Sequence, residues 1–236
     1  MTDNIAASAG QGGAVPTIPV AVWDWPVRAF HWALVALIVA AVVTVKIGGN
    51  AMEWHMRAGQ AILALVLFRI LWGFAGNRHA RFSGFVRHPR TVLAYARSVL
   101  TRRHEVYVGH NPAGGWSVIA LLLVLLAQAA SGLFANDDIA TDGPLVRLVT
   151  KERSDAITSF HRLNIWLLAA LVATHIGAVL FHLVVFKENL VRAMVRGRKV
   201  LPVEHAKAAA GPTRTLRALV LLALAALAVW WIVRKP

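Results

Sequence analysis

The chain contains no cysteine. That excludes thiolate-held iron–sulfur clusters, cysteine-based zinc sites, disulfides and the C-x-x-C-H attachment of covalent haem. Any redox centre must therefore rest on histidine, methionine or a soluble cofactor site. Charge is also scarce. Asp, Glu, Lys and Arg make up 15% of the 236 residues, against about a quarter in an ordinary soluble domain. Acids are the rarer sign, 11 against 25 Lys and Arg. In a soluble chain that balance would suggest nucleic acid. Here the basic residues cluster between apolar runs, so topology and anionic lipid headgroups explain them, and no nucleic-acid partner is expected. The first twenty residues lack the basic n-region and compact apolar core of a cleaved signal peptide.

Hydrophobic residues make up 58% of the chain, and long apolar runs dominate it. The expected fold class is an all-α integral membrane protein: a four-helix transmembrane bundle and a fifth, C-terminal transmembrane helix. The spans are predicted near Arg28–Val45, Trp54–Gly73, Trp116–Phe134, Ser159–Lys187 and Leu216–Val233. The last is low in complexity and just long enough to cross. Three regions follow from this: a disordered tail over residues 1–21, a four-helix domain over 22–198, and a linker with the last helix over 199–236. In the basic connection after the second span, Val92, Leu93, Ala96, Val99 and Leu100 fit a short amphipathic helix on the membrane surface. The connection over 135–158 is acidic on balance. The positive-inside rule then puts the N-terminus in the cytoplasm and 135–158 outside.

The fourth span carries His161, His175 and His182. The first two lie fourteen residues apart, so both project from one helix face, roughly 21 Å apart along the axis. Orientation converts position into depth. His55 and His161 fall together near the outer end, and His31 and His175 fall together near the inner end. His182 lies about 34 Å down, beyond the hydrocarbon, and is expected to be structural. His79, His88, His104, His110 and His205 lie in connections and are expected to be solvated. Facing imidazoles in an apolar bundle are what a non-covalent haem requires, so two stacked bis-histidine sites are predicted. Gly59, one turn below His55 on its face, leaves room for a porphyrin. Arg69, fourteen residues beyond His55, needs an anion at that depth, and a haem propionate is the candidate.

These residues carry a resemblance. The FHW of Phe30–Trp32, the run from His55 through Gly59 to Arg69-Ile-Leu-Trp-Gly, and His161, His175 and Phe186–Lys187 resemble the prokaryotic cytochrome b561 family. That family includes the b-type cytochrome subunits of nickel–iron hydrogenases. The resemblance spans about residues 22–198. It implies two haem b groups with His31, His55, His161 and His175 as axial ligands. It also implies electron exchange between quinone (ubiquinone or menaquinone) and a redox protein such as a c-type cytochrome or a hydrogenase, in the bacterial inner membrane. Two other functions stay open on the residues alone. One is a superoxide oxidase that reduces quinone with the same four histidines. The other is a haem-free transporter or structural membrane subunit, with histidines as proton relays or metal ligands.

Overall fold

A computed structural model describes residues 16–102 and 105–234. Five of its helices are long and apolar enough to cross a membrane. They are α1 (Trp25–Ile47), α2 (Met52–Ala75), α5 (Pro112–Gly132), α6 (Lys151–Val185) and α8 (Thr215–Arg234). Shorter helices α3 (Phe82–Phe85), α4 (Pro89–Leu100) and α7 (Leu190–Arg196) lie in the connections. The chain is an all-α membrane protein, and the fifth apolar run is a helix of spanning length.

Each boundary has a local cause. Asp24 caps α1, its Oδ1 accepting from the Val27 amide at 3.0 Å, with Pro26 in the first turn. Asn111 caps α5 in the same way through the Gly114 amide at 2.7 Å, followed by Pro112. Thr150 caps α6, accepting from Arg153. This cap starts α6 eight residues before the predicted Ser159 and absorbs the end of the acidic connection. At 35 residues, α6 is about 52 Å long, far more than the roughly 30 Å hydrocarbon layer, so its first turns stand clear of the bilayer.

The helices pack in the order α1 on α2, α2 on both α5 and α8, and α5 on α6. The approach of α6 to α1 and α2 is sparse by comparison. The main core joins Leu34, Ile62, Leu63, Val66, Leu122, Leu125 and Leu168. A second cluster gathers Val27, Phe68 and Trp72 with Ala218 and Ala225 of α8.

One end of the bundle is closed by a cap that the sequence did not predict. Residues 1–15 of the expected tail lie outside the described residues. Its last five, Thr17–Ala21, form a strand, β1, paired antiparallel with β2 (Arg198–Pro202) in the register Pro19 to Val200. The alternation in TIPVA is too short to signal a strand before its partner is known. Gly197 makes the join. It ends α7 in the left-handed region at φ 78°, and its carbonyl accepts from the Val22 and Trp23 amides. An added Cβ would sit 2.8 Å from the Trp23 carbonyl oxygen. α4 is the predicted amphipathic helix, with Val92, Tyr95, Ser98 and Val99 on its better-covered side and Leu93 and Leu100 exposed.

Candidate haem sites between α6 and the α1–α2 pair

Two histidine pairs face each other across the sparsely packed interval. His31 of α1 faces His175 of α6 with ring centres 6.4 Å apart. His55 of α2 faces His161 of α6, also at 6.4 Å. Two metal–imidazole bonds of about 2 Å, plus about 1 Å on each side from nitrogen to ring centre, span about 6 Å. Both intervals therefore accept one metal ion between two imidazoles. Among the described residues, no group of three or more His, Cys, Asp or Glu side chains could hold a metal. Two facing imidazoles in an apolar interval suit the axial positions of a haem, whose porphyrin would supply the other four donors.

Hydrogen bonds aim the rings of the pair far from the cap. His55 Nδ1 lies 2.8 Å from the Ala41 carbonyl oxygen. His161 Nδ1 lies 2.9 Å from the Gln128 carbonyl oxygen and 3.0 Å from Ser131 Oγ. A ring that donates its Nδ1 proton to a carbonyl keeps Nε2 as the nitrogen that can bind a metal, and such partners fix ring orientation. In His161 that Nε2 accepts from the Gln128 side-chain amide at 3.1 Å, a bond that a metal would replace. Gln128 itself is held by Asn164, whose amide donates to Gln128 Oε1 at 2.8 Å. Gly132 brings α5 close, because a Cβ there would stand 3.1 Å from His161 Cε1. At Gly59, one turn from His55, a Cβ would meet nothing within 4 Å.

The pair nearer the cap is built differently. His31 Nδ1 is buried with no hydrogen-bond partner, and so is one terminal nitrogen of Arg69. Arg69 is 3% exposed. Its guanidinium lies 5.4 Å from the Phe82 ring centre and 6.0 Å from that of Phe85. Asp24, whose carboxylate also accepts from Trp72 Nε1 at 3.2 Å, supplies the opposing charge. An orphaned guanidinium nitrogen at this depth fits an anionic group of a bound cofactor.

Two of the connection histidines are not solvated as predicted. The His110 ring packs on Trp23 at 4.6 Å and Phe85 at 4.5 Å, and its Nδ1 is buried without a partner. Burial, then the nearby Arg69 and Lys199 cations, hold this imidazole down at about 3, so it is neutral. His79 is half-buried, with Nε2 2.6 Å from the Ala208 carbonyl oxygen. His88 is exposed and caps α4, its Nδ1 accepting from the Arg90 amide at 3.3 Å, while His205 sits beside Glu204. His104 lies outside the described residues. His182 has the structural role expected of it: Nε2 meets Tyr95 Oη at 3.2 Å and Nδ1 meets Glu188 at 3.1 Å.

The family model for prokaryotic cytochrome b561 matches residues 22–197. The chain belongs to this family. Curated relatives are named probable Ni/Fe-hydrogenase B-type cytochrome subunit, or, in Escherichia coli, probable Ni/Fe-hydrogenase 1 B-type cytochrome subunit. The Bradyrhizobium diazoefficiens relative is 26% identical, with 83% of this chain and 92% of the relative covered. That of Escherichia coli K12 is 26% identical over 75% and 88%, and that of Azotobacter vinelandii 25% over 75% and 87%. No solved structure matches the chain. Membership makes this a multi-pass membrane protein of electron transfer that works with haem b.

Proposed function

We propose that the chain holds two haem b groups, one between His31 and His175 and one between His55 and His161, and carries electrons through the membrane between quinone and a redox protein. The observation that carries this reading is the equal 6.4 Å spacing of the two imidazole pairs on one face of α6. Bound haem supplies a one-electron couple at each level. The protein residues position and tune. The Ala41 and Gln128 carbonyls fix the His55 and His161 rings and raise their basicity as ligands. Arg69, buried beside the cap, takes up a haem propionate, and the open space at Gly59 accepts the macrocycle edge. The relatives' names make a hydrogenase the proposed protein partner, with ubiquinone or menaquinone as the small-molecule one. The proposed location is the bacterial inner membrane, N-terminus in the cytoplasm.

The test is the reduced-minus-oxidised spectrum of the purified chain with haem counted per polypeptide. Low-spin b-type bands and two haems per chain are expected. His175→Ala and His161→Ala should each lower the count to about one, and the spectrum lost should differ between them. A wild-type count of one, or two haems kept in either variant, overturns the pairing.

A further inference from the structure

Away from the histidines, four arginines converge where, among the described residues, no acid pairs with them. Arg78 and Arg81 follow the C-terminus of α2, and Arg214 and Arg217 flank the start of α8. Together with Asn77 and Pro212 they line a cavity of about 260 Å³. The two halves come from segments more than 130 residues apart, brought together because α8 packs along α2. Two hydrogen bonds fix the join. Arg217 donates to the Ala75 carbonyl oxygen at 3.2 Å, and Asn77 Nδ2 donates to the Pro212 carbonyl oxygen at 3.3 Å. The ion pairs of the described residues involve Arg57, Lys151, His182, Lys199 and His205, and none of these four arginines. All four are exposed, so water and salt screen their mutual repulsion, but their summed charge attracts an anion and their planar forks suit the oxygens of a phosphate.

The cavity lies at a membrane surface. Trp25 donates its indole N–H to Thr215 Oγ1 at 3.2 Å beside it, and tryptophan at a span end marks the headgroup level. Next to the arginines, Phe74 is 72% exposed and Leu216 is 76% exposed, each on a spanning helix. They offer an apolar track from the cavity toward the bilayer.

We propose that this cavity between α2 and α8 is a binding site for the phosphodiester headgroup of an anionic phospholipid, whose acyl chains lie along Phe74 and Leu216. The site is separate from the haem levels and does not depend on them. Basic pockets between spanning helices hold such headgroups by charge and bidentate hydrogen bonds, and each basic residue near the surface contributes about a fivefold gain in affinity.

The test is native mass spectrometry of the full chain released from detergent, titrated in turn with cardiolipin, phosphatidylcholine and inorganic phosphate. One cardiolipin per chain should stay bound under activation that strips phosphatidylcholine. Arg78→Gln with Arg214→Gln should weaken it about 30-fold. Arg90→Gln with Arg97→Gln, on α4, should leave it unchanged. Equal weakening by the α4 pair would reduce the effect to diffuse charge and overturn the proposal. So would inorganic phosphate binding as tightly as cardiolipin, because the acyl track would then contribute nothing. If the double variant fails to fold, Arg81→Gln alone should weaken binding about fivefold, and the wild-type preference for cardiolipin over phosphatidylcholine needs no variant at all.

Discussion

Glu188 sits between two basic side chains at the capped end of the bundle. It meets His182 Nδ1 at 3.1 Å and accepts from Lys199 Nζ at 2.7 Å. Lys199 also donates to the Tyr107 carbonyl oxygen at 3.0 Å, so α6, β2 and the segment before α5 meet at one carboxylate. Burial pushes the Glu188 carboxyl up, but the His182 hydrogen bond and the Lys199 charge outweigh it and hold it at about 2. Its folded value is below the ordinary 4.5, so its contribution is present above 4.5 and is lost as pH falls through about 2. Glu188→Gln should therefore destabilise the protein by about 2 kcal/mol at pH 7. Thermal unfolding in detergent from pH 7 down to pH 3 checks this: the gap between variant and wild type should narrow below about pH 4.5, and a constant gap would rule out the ionised carboxylate as its source. At this scale the sequence was informative where a residue's role follows from its own helix. The fourteen-residue step from His161 to His175 places both rings on one face whatever surrounds them. His110 was illegible because its burial comes from Trp23 and Phe85, which reach it from two other parts of the chain.

At the level of elements, α8 is the part that the apolar run alone left open. Its Ala218 and Ala225 are 1% and 2% exposed, in one cluster with Phe68 and Trp72 of α2. Small residues there let two helices approach closely. Alanines also occur at 223, 226 and 228, so no buried stripe stands out until the partner helix is known. The opposite side, with Leu227 59% exposed, faces the lipid. Ala225→Leu should overpack the contact and cost about 1–3 kcal/mol, whereas Leu227→Ala should stay within about 0.5 kcal/mol. Thermal unfolding in detergent reads both. Equal effects would mean that α8 does not pack on α2 in solution. The longer reach of α6 has the converse history. Thr150 followed by Lys-Glu-Arg is an ordinary helix start, but those charges read as a connection when spans are sought by hydropathy alone.

For the whole molecule, the cap decides which ends share a face. β1 pairs with β2, Trp23 packs on His110, and His79 meets the Ala208 carbonyl. The segments before α1, between α2 and α5, and between α6 and α8 are thus one surface. That surface carries Arg78, Arg81, Arg87, Arg90, Arg192, Arg196 and Arg198. The far end carries Asp137, Asp138 and Asp142. Asp137 there accepts from the Ile139, Ala140 and Thr141 amides, which hold its carboxyl below the usual range and keep it charged. This asymmetry predicts the cap in the cytoplasm and the acidic end outside. The His31–His175 level then lies toward the cytoplasm and the His55–His161 level toward the exterior. The absence of cysteine makes the test clean, because a single introduced thiol is the only one in the chain. Asp142→Cys should react with a membrane-impermeant maleimide in intact cells, and Arg90→Cys only after the membrane is permeabilised. The reverse pattern would invert the protein, exchange the compartments served by the two histidine levels, and put the arginine cavity on the outer leaflet.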